Sequence, residues 1–416
     1  MKEMVHGLTQ ICRGERGIAL SLALMCLMVL ASLSAAMLAI GGSEVQIAAN
    51  LLRDTQARFI AEAGLEDAFN YYRSDTSRLP ASNATLSATV TDVTSNLSGP
   101  GTGLQGYGSY AVTAQIVGPY TVLLTSTGTS ATGSASKMLR ALLTIGFVSK
   151  DAVRTEGTLQ IAGTAPTVTG TCGSAHTNRD LDVSGSASPT FSQGVTASGS
   201  ADPPGTGAQA RRTIPAVRAS DFLAEAKLRV PLNQIFVMKA DGAVYDGNDP
   251  ANLLFTYSAG PPKLDTFQGW KYDPGSGSNP AEWTTSAGVT TGTYYFETSV
   301  QVQGGTSAAT ILSNGDITVS GNAVLSPHLT DTLLVADKDI DLGGTSGSSV
   351  SGLVAAREQI KLSGNVAVTG YLLAENAAAT SSTVTTNSMS GSVSVTYDCN
   401  LSPPMKGPVR FIAWGV

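Results

Sequence analysis

Residues 18–40 have the sequence IALSLALMCLMVLASLSAAMLAI, and this run determines where the rest of the chain must lie. It contains no charged side chain, and it is long enough to cross a lipid bilayer as one helix. Because Lys2, Arg13 and Arg16 precede it, the positive-inside rule predicts a cytoplasmic N-terminus. The remainder of the chain is then expected on the periplasmic side of an inner membrane, held there by a single span.

The helical pattern continues beyond the apolar run as an amphipathic stretch. One helix over residues 18–73 would be about 84 Å long at 1.5 Å per residue. A secretory signal peptide is the alternative, but its apolar run would be shorter and its helical pattern would stop. One face of the second half is predicted to contain Val45, Ala48, Leu52, Phe59, Ala63 and Glu66.

The composition of the remaining chain indicates a turn-rich β protein. Hydrophobic residues make up 42% of the sequence, too many for wholesale disorder, and 45 glycines supply turns. The formal net charge is −6 and there is no basic stripe, so the sequence argues against nucleic-acid binding.

Three strand candidates follow a loop over Pro80–Gly106. They alternate apolar and polar residues, are separated by short turns, and cover Tyr107–Val117, Tyr120–Gly128 and Lys137–Val148. The pattern predicts a small antiparallel meander directly after the helix.

A short motif recurs after residue 150, in which two apolar residues alternate with others and a glycine follows. Its copies begin at Leu159, Leu181, Val300, Ile317, Ile340, Ile360 and Val366. Several copies are about 20 residues apart, a period typical of solenoids whose turns bury one another's apolar faces. The motif predicts a parallel β-helix, and the alternative is an antiparallel sandwich with glycine turns.

The region Arg211–Trp283 interrupts these repeats. It is proline-rich and contains a helix-like stretch, Ala219–Arg229, so it is predicted to be an insertion packed on the side of the solenoid. Trp270, Tyr272 and Trp283 form either a sugar-binding surface or the small core of the insertion.

Few residues suggest a disulfide, a metal site or a catalytic site. Cys172 and Cys399 are the only cysteines of the exported part, and they form either one disulfide or two buried thiols. The acidic loop with Asp241, Asp246 and Asp249 is a calcium candidate, although it lacks EF-hand spacing. No nucleophile motif, phosphate loop or zinc spacing occurs, and His176 and His328 are predicted to be surface residues.

The segment from Arg13 to Leu22, RGERGIALSL, resembles a type IV prepilin leader and cleavage site. The later motifs at 49–54 and 61–64 are similar to minor pilins of the PilX N-terminal type and to tip minor pseudopilins of type II secretion. The resemblance implies cleavage by a prepilin peptidase after Gly17 and methylation of Ile18 as the new N-terminus. It also implies that the N-terminal helix binds other pilin subunits.

One position departs from the major pilins, which have a glutamate five residues after the cut. Here Leu22 occupies that position, so the helix lacks the carboxylate that would pair with the terminal amine of a neighbouring subunit. Tip minor pseudopilins share this lack, which favours a position at the tip over one in the shaft. Sequence drift without positional meaning is the alternative.

Together these features predict an α+β, mostly β protein. The predicted segments are a leader at 1–17, a long helix at 18–73 with its membrane span at 18–40, a pilin-like meander at 74–150, and a β-helix domain at 151–416 with an insertion around 211–283. The predicted function is that of a minor pilin of a Gram-negative bacterium, without cofactor or enzymatic activity. Its head would be displayed on the cell surface for assembly initiation, or for adhesion to a surface glycan or host ligand. A membrane-tethered β-helix enzyme acting on polysaccharide and a minor pseudopilin are the alternatives.

Overall fold

The computed structural model describes residues 2–74, 89–90, 108–118, 121–131, 133–163, 166–185, 188–261, 263–277, 279–378 and 384–415, with the side chains of 2–18 outside this description. The predicted fold class is confirmed, since a long N-terminal helix leads into a small antiparallel sheet and then a parallel β-solenoid. Most of the predicted loop over Pro80–Gly106 lies outside the described residues.

Helix α1 spans Lys2–Ser74, and its second half packs on a five-stranded antiparallel sheet. In spatial order the strands are Thr89–Val90, Gly108–Gly118, Thr121–Ser130, Ser136–Gly146 and Lys406–Gly415. The three central strands match the predicted meander to within a few residues. We call the second half of α1 together with this sheet the neck.

Small and apolar side chains on α1 allow the helix to pack closely on the neck sheet. They recur at the three- and four-residue spacing of one helical face: Ala57, Ile60, Ala61, Leu65, Ala68 and Tyr72. Opposite them, Gly128 leaves no room for a Cβ atom, because the backbone of Ala57 and Ala61 occupies that space. The helix and the sheet therefore share a core that is separate from the core of the solenoid.

The solenoid has three faces of short parallel strands. The first face stacks Val195–Ala197, Ala175–Thr177, Val153–Thr155, Leu372–Ala374, Leu353–Ala356, Thr332–Ala336, Thr306–Ser313, Gly292–Phe296 and Ile235–Met238, and ends in antiparallel Val244–Asp246 and Leu253–Phe255. The second face stacks Leu181–Val183, Leu159–Ala162, Asn387–Ser390, Ile360–Gly364, Ile340–Gly344, Ile317–Val319, Ser299–Val302 and Glu282–Thr285, followed by antiparallel Trp270–Asp273 and Thr266–Phe267. The third face stacks Thr190–Phe191, Thr167–Thr169, Ser394–Thr396, Ala367–Thr369, Ser349–Ser351 and Val324–Ser326 against the start of Thr306–Ser313.

The spatial order of these turns differs from their order in the chain. The chain enters the solenoid in the middle of the stack and winds outward to one end. It then crosses to the opposite end and winds back until its last turn meets its first. We call the contact between the strands of residues 153–169 and those of residues 372–396 the seam. Its strand register pairs Leu372 with Val153, Asn387 with Leu159, and Ser394 with Thr167.

The repeated glycine motif belongs mainly to one corner of the solenoid. Six of its seven predicted copies begin in strands of the second face. At the end of those strands, Gly364, Gly391 and Gly163 have positive φ angles of 76°, 86° and 97°, which favour glycine. A Cβ atom on each would collide with the backbone of the next glycine in the stack, so these glycines form a ladder that continues across the seam.

The crossing segment lies along the first face. Residues 211–218, which we call the strap, lead into helix α2, Ala219–Arg229, which coincides with the predicted helix-like stretch. Asp337 Oδ1 accepts a hydrogen bond of 2.7 Å from the Ala219 N–H at the start of α2. Phe222 and Ala226 of α2 are buried, and the helix contacts the strands of residues 292–336.

Two segments lie elsewhere than predicted. The region of residues 235–285 was expected on the side of the solenoid, but its strands extend the first and second faces and form an end cap. The predicted solenoid domain ran to residue 416, but Lys406–Gly415 pairs with Ser136–Gly146 in the neck sheet. The chain therefore leaves the neck and returns to it.

Candidate functional site

The apolar first half of α1 is the largest exposed hydrophobic surface in the described chain. Its large side chains are solvent-exposed over residues 19–40, as in Leu20, Leu27, Met37 and Ile40. Among the described residues, this is the one helix that is long and apolar enough to cross a membrane. Such a surface needs lipid or other helices to cover it.

The second half of α1 has a different docking face from the one predicted. Val45, Leu52 and Phe59 of the predicted face are 70%, 65% and 63% exposed, whereas the residues that pack on the sheet lie on the opposite side. The second half of α1 thus has apolar residues on both sides, and the neck sheet covers only one of these sides. The exposed side remains available to bind another helix.

The residues predicted for processing lie on α1. Gly17 and Ile18 are part of its continuous helical backbone, and their side chains are outside the described residues. Leu22, at the position where major pilins have glutamate, is exposed on the apolar half of the helix. Cys26 lies nearby and is free and exposed.

Cys172 and Cys399 form a disulfide that spans the seam. Cys172 follows the first turn of the solenoid, and Cys399 follows the last turn. Next to the disulfide, the Thr171 N–H donates to Asp398 Oδ1 at 2.9 Å, and Tyr397 OH donates to the Ser149 carbonyl at 3.0 Å. The bond therefore joins the first and last turns of the solenoid, which are distant in the chain.

A buried polar cluster lies beside the seam and holds the strap in place. Arg154 Nε and Nη2 donate to Asp151 Oδ2 at 2.9 and 2.5 Å, and Arg212 of the strap donates to Asp151 Oδ1. Asn178 binds both the N–H and the carbonyl of Arg212, at 2.8 and 2.7 Å. Burial acts to raise the pKa of Asp151, but Arg154 and Arg212 hold it below its usual value.

His176 belongs to this cluster, and its predicted surface location is wrong. The side chain is buried, with Nδ1 at 2.8 Å from Thr196 Oγ1 and Nε2 at 3.0 Å from Asn178 Oδ1. Burial, aided by the nearby Arg212, lowers the pKa of His176 and favours the neutral ring. The sequence contains no signal for this cluster, because its members come from distant segments.

His328 is half-buried rather than on the surface. Its Nδ1 lies 3.0 Å from Thr293 Oγ1 and its Nε2 lies 2.8 Å from Gln234 Oε1. Both hydrogen bonds join parts of the solenoid's far end, so this histidine has a structural role.

The aromatic residues of the end cap form its core, so the alternative of a sugar-binding surface is wrong for them. Trp270, Trp283 and Tyr272 are all buried. Trp283 Nε1 donates to the Lys239 carbonyl at 3.1 Å, and Trp270 packs against Phe296 with ring centroids 4.8 Å apart.

The acidic loop of the end cap borders a pocket of 550 Å³, which is lined by Asp241 and Asp246 but not by Asp249. Each carboxylate accepts a backbone N–H two residues further on: Asp241 from Ala243, Asp246 from Asn248, and Asp249 from Ala251. Among the described residues, no group of three or more His, Cys, Asp or Glu side chains is arranged to hold a metal ion. Calcium binding stays a prediction.

No protein-family profile matches the chain, and no curated protein matches it by sequence. Among solved structures it is similar to the competence-associated pilin ComZ from Thermus thermophilus, with 15% identity, coverage of 87% of this chain and 97% of that one, and a TM-score of 0.27. It is also similar to an ice binding protein from an Antarctic Biological Consortium, with 14% identity, coverage of 61% and 91%, and a TM-score of 0.30. Because both TM-scores are low, function is inferred below from the chain's own residues.

Proposed function

We propose that this chain is a minor pilin of the PilX N-terminal type. It is anchored in the inner membrane by α1, trimmed by a prepilin peptidase, and incorporated at or near the tip of a type IV pilus-like fibre. The solenoid is the displayed head, used for adhesion or for initiating assembly, and the protein is not an enzyme.

The observation that best supports the proposal is the division of α1 into two halves. The second half packs on the neck sheet through Ala57, Ile60 and Leu65, while residues 19–40 of the first half are exposed. A helix fixed at one end and apolar at the other can exchange lipid for neighbouring helices without any change in the head. The exposed Val45 and Phe59 extend this helix-binding surface along the neck.

The decisive experiment is the intact mass of the protein from cells with and without the prepilin peptidase. We expect loss of residues 1–17 and one added methyl group on Ile18 only when the peptidase is present. An identical, unprocessed mass in both strains would refute the pilin proposal, and a tethered adhesin or polysaccharide-active enzyme would replace it.

The proposed tip position depends on Leu22, which cannot supply the carboxylate that pairs with the terminal amine of the subunit ahead. In immunogold labelling of fibres we expect wild-type protein at fibre ends and the Leu22→Glu variant also along the shaft. Leu24→Glu is the matched control, because it adds the same charge to the same exposed helix at a different position. Equal shaft labelling of wild type and Leu22→Glu would contradict the tip position.

The pseudopilin alternative makes a different prediction about the host machinery. Deleting the pilus assembly ATPase should remove the protein from surface fibres if it is a pilin. Fibre incorporation that persists in this deletion and disappears without a type II secretion ATPase would favour the pseudopilin.

A further inference from the structure

The pocket of 550 Å³ lies at the end of the solenoid farthest from the seam, where the end of α2 meets the end cap. Its volume is within the range of small-molecule binding sites. Lys227 comes from α2, whereas Val237, Lys239 and Tyr245 come from the first hairpin of the cap. Glu297 completes this group from the end of the adjacent strand.

The pocket has an apolar and aromatic side. Val237 and Tyr245 are direct partners in the antiparallel register, so their side chains lie on the same face of the sheet. Lys239 Nζ lies 6.0 Å from the centre of the Tyr245 ring and 2.5 Å from Glu297 Oε1. This hydrogen bond raises the pKa of Lys239, so the ammonium stays charged.

The acceptors of the pocket are held in fixed orientations. Asp241 Oδ1 accepts the Ala243 N–H at 3.0 Å, and Asp246 Oδ1 accepts the Asn248 N–H at 2.8 Å. Each of these hydrogen bonds uses one oxygen of the carboxylate in a local turn. The second oxygen of each carboxylate can therefore accept a ligand hydroxyl without a large entropy cost.

The lining combines two ammonium groups, three carboxylates and one aromatic ring. A purely apolar ligand would leave the charged groups desolvated and unpaired, and a phosphate or nucleotide would face an excess of carboxylates. A pyranose matches the lining, because it has hydroxyls that donate to carboxylates and accept from ammonium groups. Its C–H face can also pack on an aromatic ring.

We propose that this pocket binds a neutral saccharide unit of a surface glycan, with Tyr245 as the packing surface and Asp241 and Asp246 as the hydroxyl acceptors. This inference rests on the proposed role of the solenoid as a displayed head and names its ligand class. The pocket lies at the end of the stack farthest from the seam, through which the chain joins the neck.

The test uses the full chain in detergent micelles. A glycan array identifies retained sugars, and calorimetry then uses cellotriose, chitotriose and maltotriose, with sialyllactose as a charged comparator. We expect at least one neutral trisaccharide to bind with a Kd between about 1 μM and 1 mM. Tyr245→Ala should weaken binding by about 10-fold, and Asp241→Asn should weaken it by about 5- to 10-fold.

Asp249→Asn is the matched control, because Asp249 has the same type of turn hydrogen bond in the same loop but does not line the pocket. Its Kd should stay within about 2-fold of wild type. The absence of any neutral sugar ligand would overturn the proposal. Binding that persists unchanged in both pocket variants would also overturn it, since the sugar would then bind elsewhere.

The outcome is independent of the pilin proposal. Sugar binding that persists in a protein which the peptidase does not process would remove the fibre role and leave the pocket assignment intact. Normal processing and fibre labelling without sugar binding would remove the pocket assignment and leave the fibre role intact.

Discussion

The sequential turns of the solenoid and its seam use the same parallel strand pairing, but their partners differ in distance along the chain. In the sequential turns, Ile340 pairs with Ile360, about 20 residues away. At the seam, Thr169 Oγ1 lies 3.0 Å from Thr396 Oγ1, and these residues are 227 positions apart. Closing the seam therefore costs more chain entropy for the same kind of contact.

The two regions also differ in what reinforces them. The sequential turns rely on stacked apolar residues such as Leu334, Val354 and Leu362. The seam adds a disulfide and the Asp151 cluster to such stacking. This difference suggests that extra cross-links are concentrated where chain connectivity does not hold the turns together.

The largest effects are expected from two matched truncations on the second face. Leu342→Ala in the sequential turns and Leu159→Ala at the seam each remove a buried leucine, at an expected cost of about 2–5 kcal/mol in the free energy of unfolding. Because local turns should form first, Leu342→Ala should slow refolding, whereas Leu159→Ala should mainly accelerate unfolding. Refolding and unfolding rates in urea would measure this, and equal slowing of refolding by both variants would contradict late formation of the seam.

The double variant Cys172→Ser, Cys399→Ser should lower stability by about 2–4 kcal/mol. Amide exchange should accelerate in Val153–Thr155 and Leu372–Ala374 more than in Ile340–Gly344. Cys26→Ser is the control, because Cys26 is free and lies on α1. Uniform acceleration in all three strands would mean that the seam does not open as a separate unit.

Acid should weaken the seam side in two steps, first through His176 and then through Asp151. The pKa of His176 is lowered in the folded state, so its neutral form stabilises the fold above the unfolded value of about 6.5, and this contribution is lost as the pH falls below that value. Asp151, whose folded pKa is also lowered, adds a second loss at pH values below about 4. Each proton taken up changes stability by at most about 1.4 kcal/mol per pH unit.

The measurement for this pH effect is amide exchange of Ala175–Thr177 between pH 7 and 5. His176→Gln should flatten its pH dependence there. His328→Gln serves as the comparison, because burial also lowers the pKa of His328 but this residue lies toward the end cap. An equal change at Ala175–Thr177 in both variants would show that acid acts on the whole solenoid.

The smallest effect is expected at a partly exposed ion pair of the sequential turns. Lys361 Nζ lies 2.7 Å from Asp341 Oδ2 on the neighbouring strand. Lys361→Gln should cost less than about 1 kcal/mol, since water screens the pair. Urea unfolding at low and high salt would measure this change in stability. A stability loss as large as that from removing the disulfide would mean that surface charge, rather than apolar stacking, holds these turns together.

The sequence predicts the existence of the solenoid well, because most turns leave an apolar pair and a glycine at one corner. It does not predict the stacking order. The motif at Leu159 and the motif at Ile360 are locally alike, yet one belongs to the first turn and the other to a turn near the end of the chain. Pairing between distant strands depends on how the chain crosses, which no local pattern encodes.

The packing of the helix and the candidate sites were also only partly predicted from local sequence patterns. A long helix was predicted correctly, but apolar residues occur on both sides of its second half, and the sequence does not say which side the neck sheet covers. His176 and Trp270 have no local pattern that reports their burial. The cavity beside Tyr245 was not predicted, and only the acidic residues at its edge suggested a site in this region.

Because the last strand returns to the neck, the solenoid begins and ends at two neighbouring strands of the neck sheet. Ser136–Gly146 and Lys406–Gly415 are neighbouring antiparallel strands, and Gly146 is paired with Lys406. In topological terms the whole solenoid is an insertion in a hairpin loop. Residues 147–405 could be replaced by a tight turn, or by an unrelated domain with adjacent termini, without breaking the neck sheet. A different domain could therefore be attached to the neck without any change in α1 or in the neck sheet.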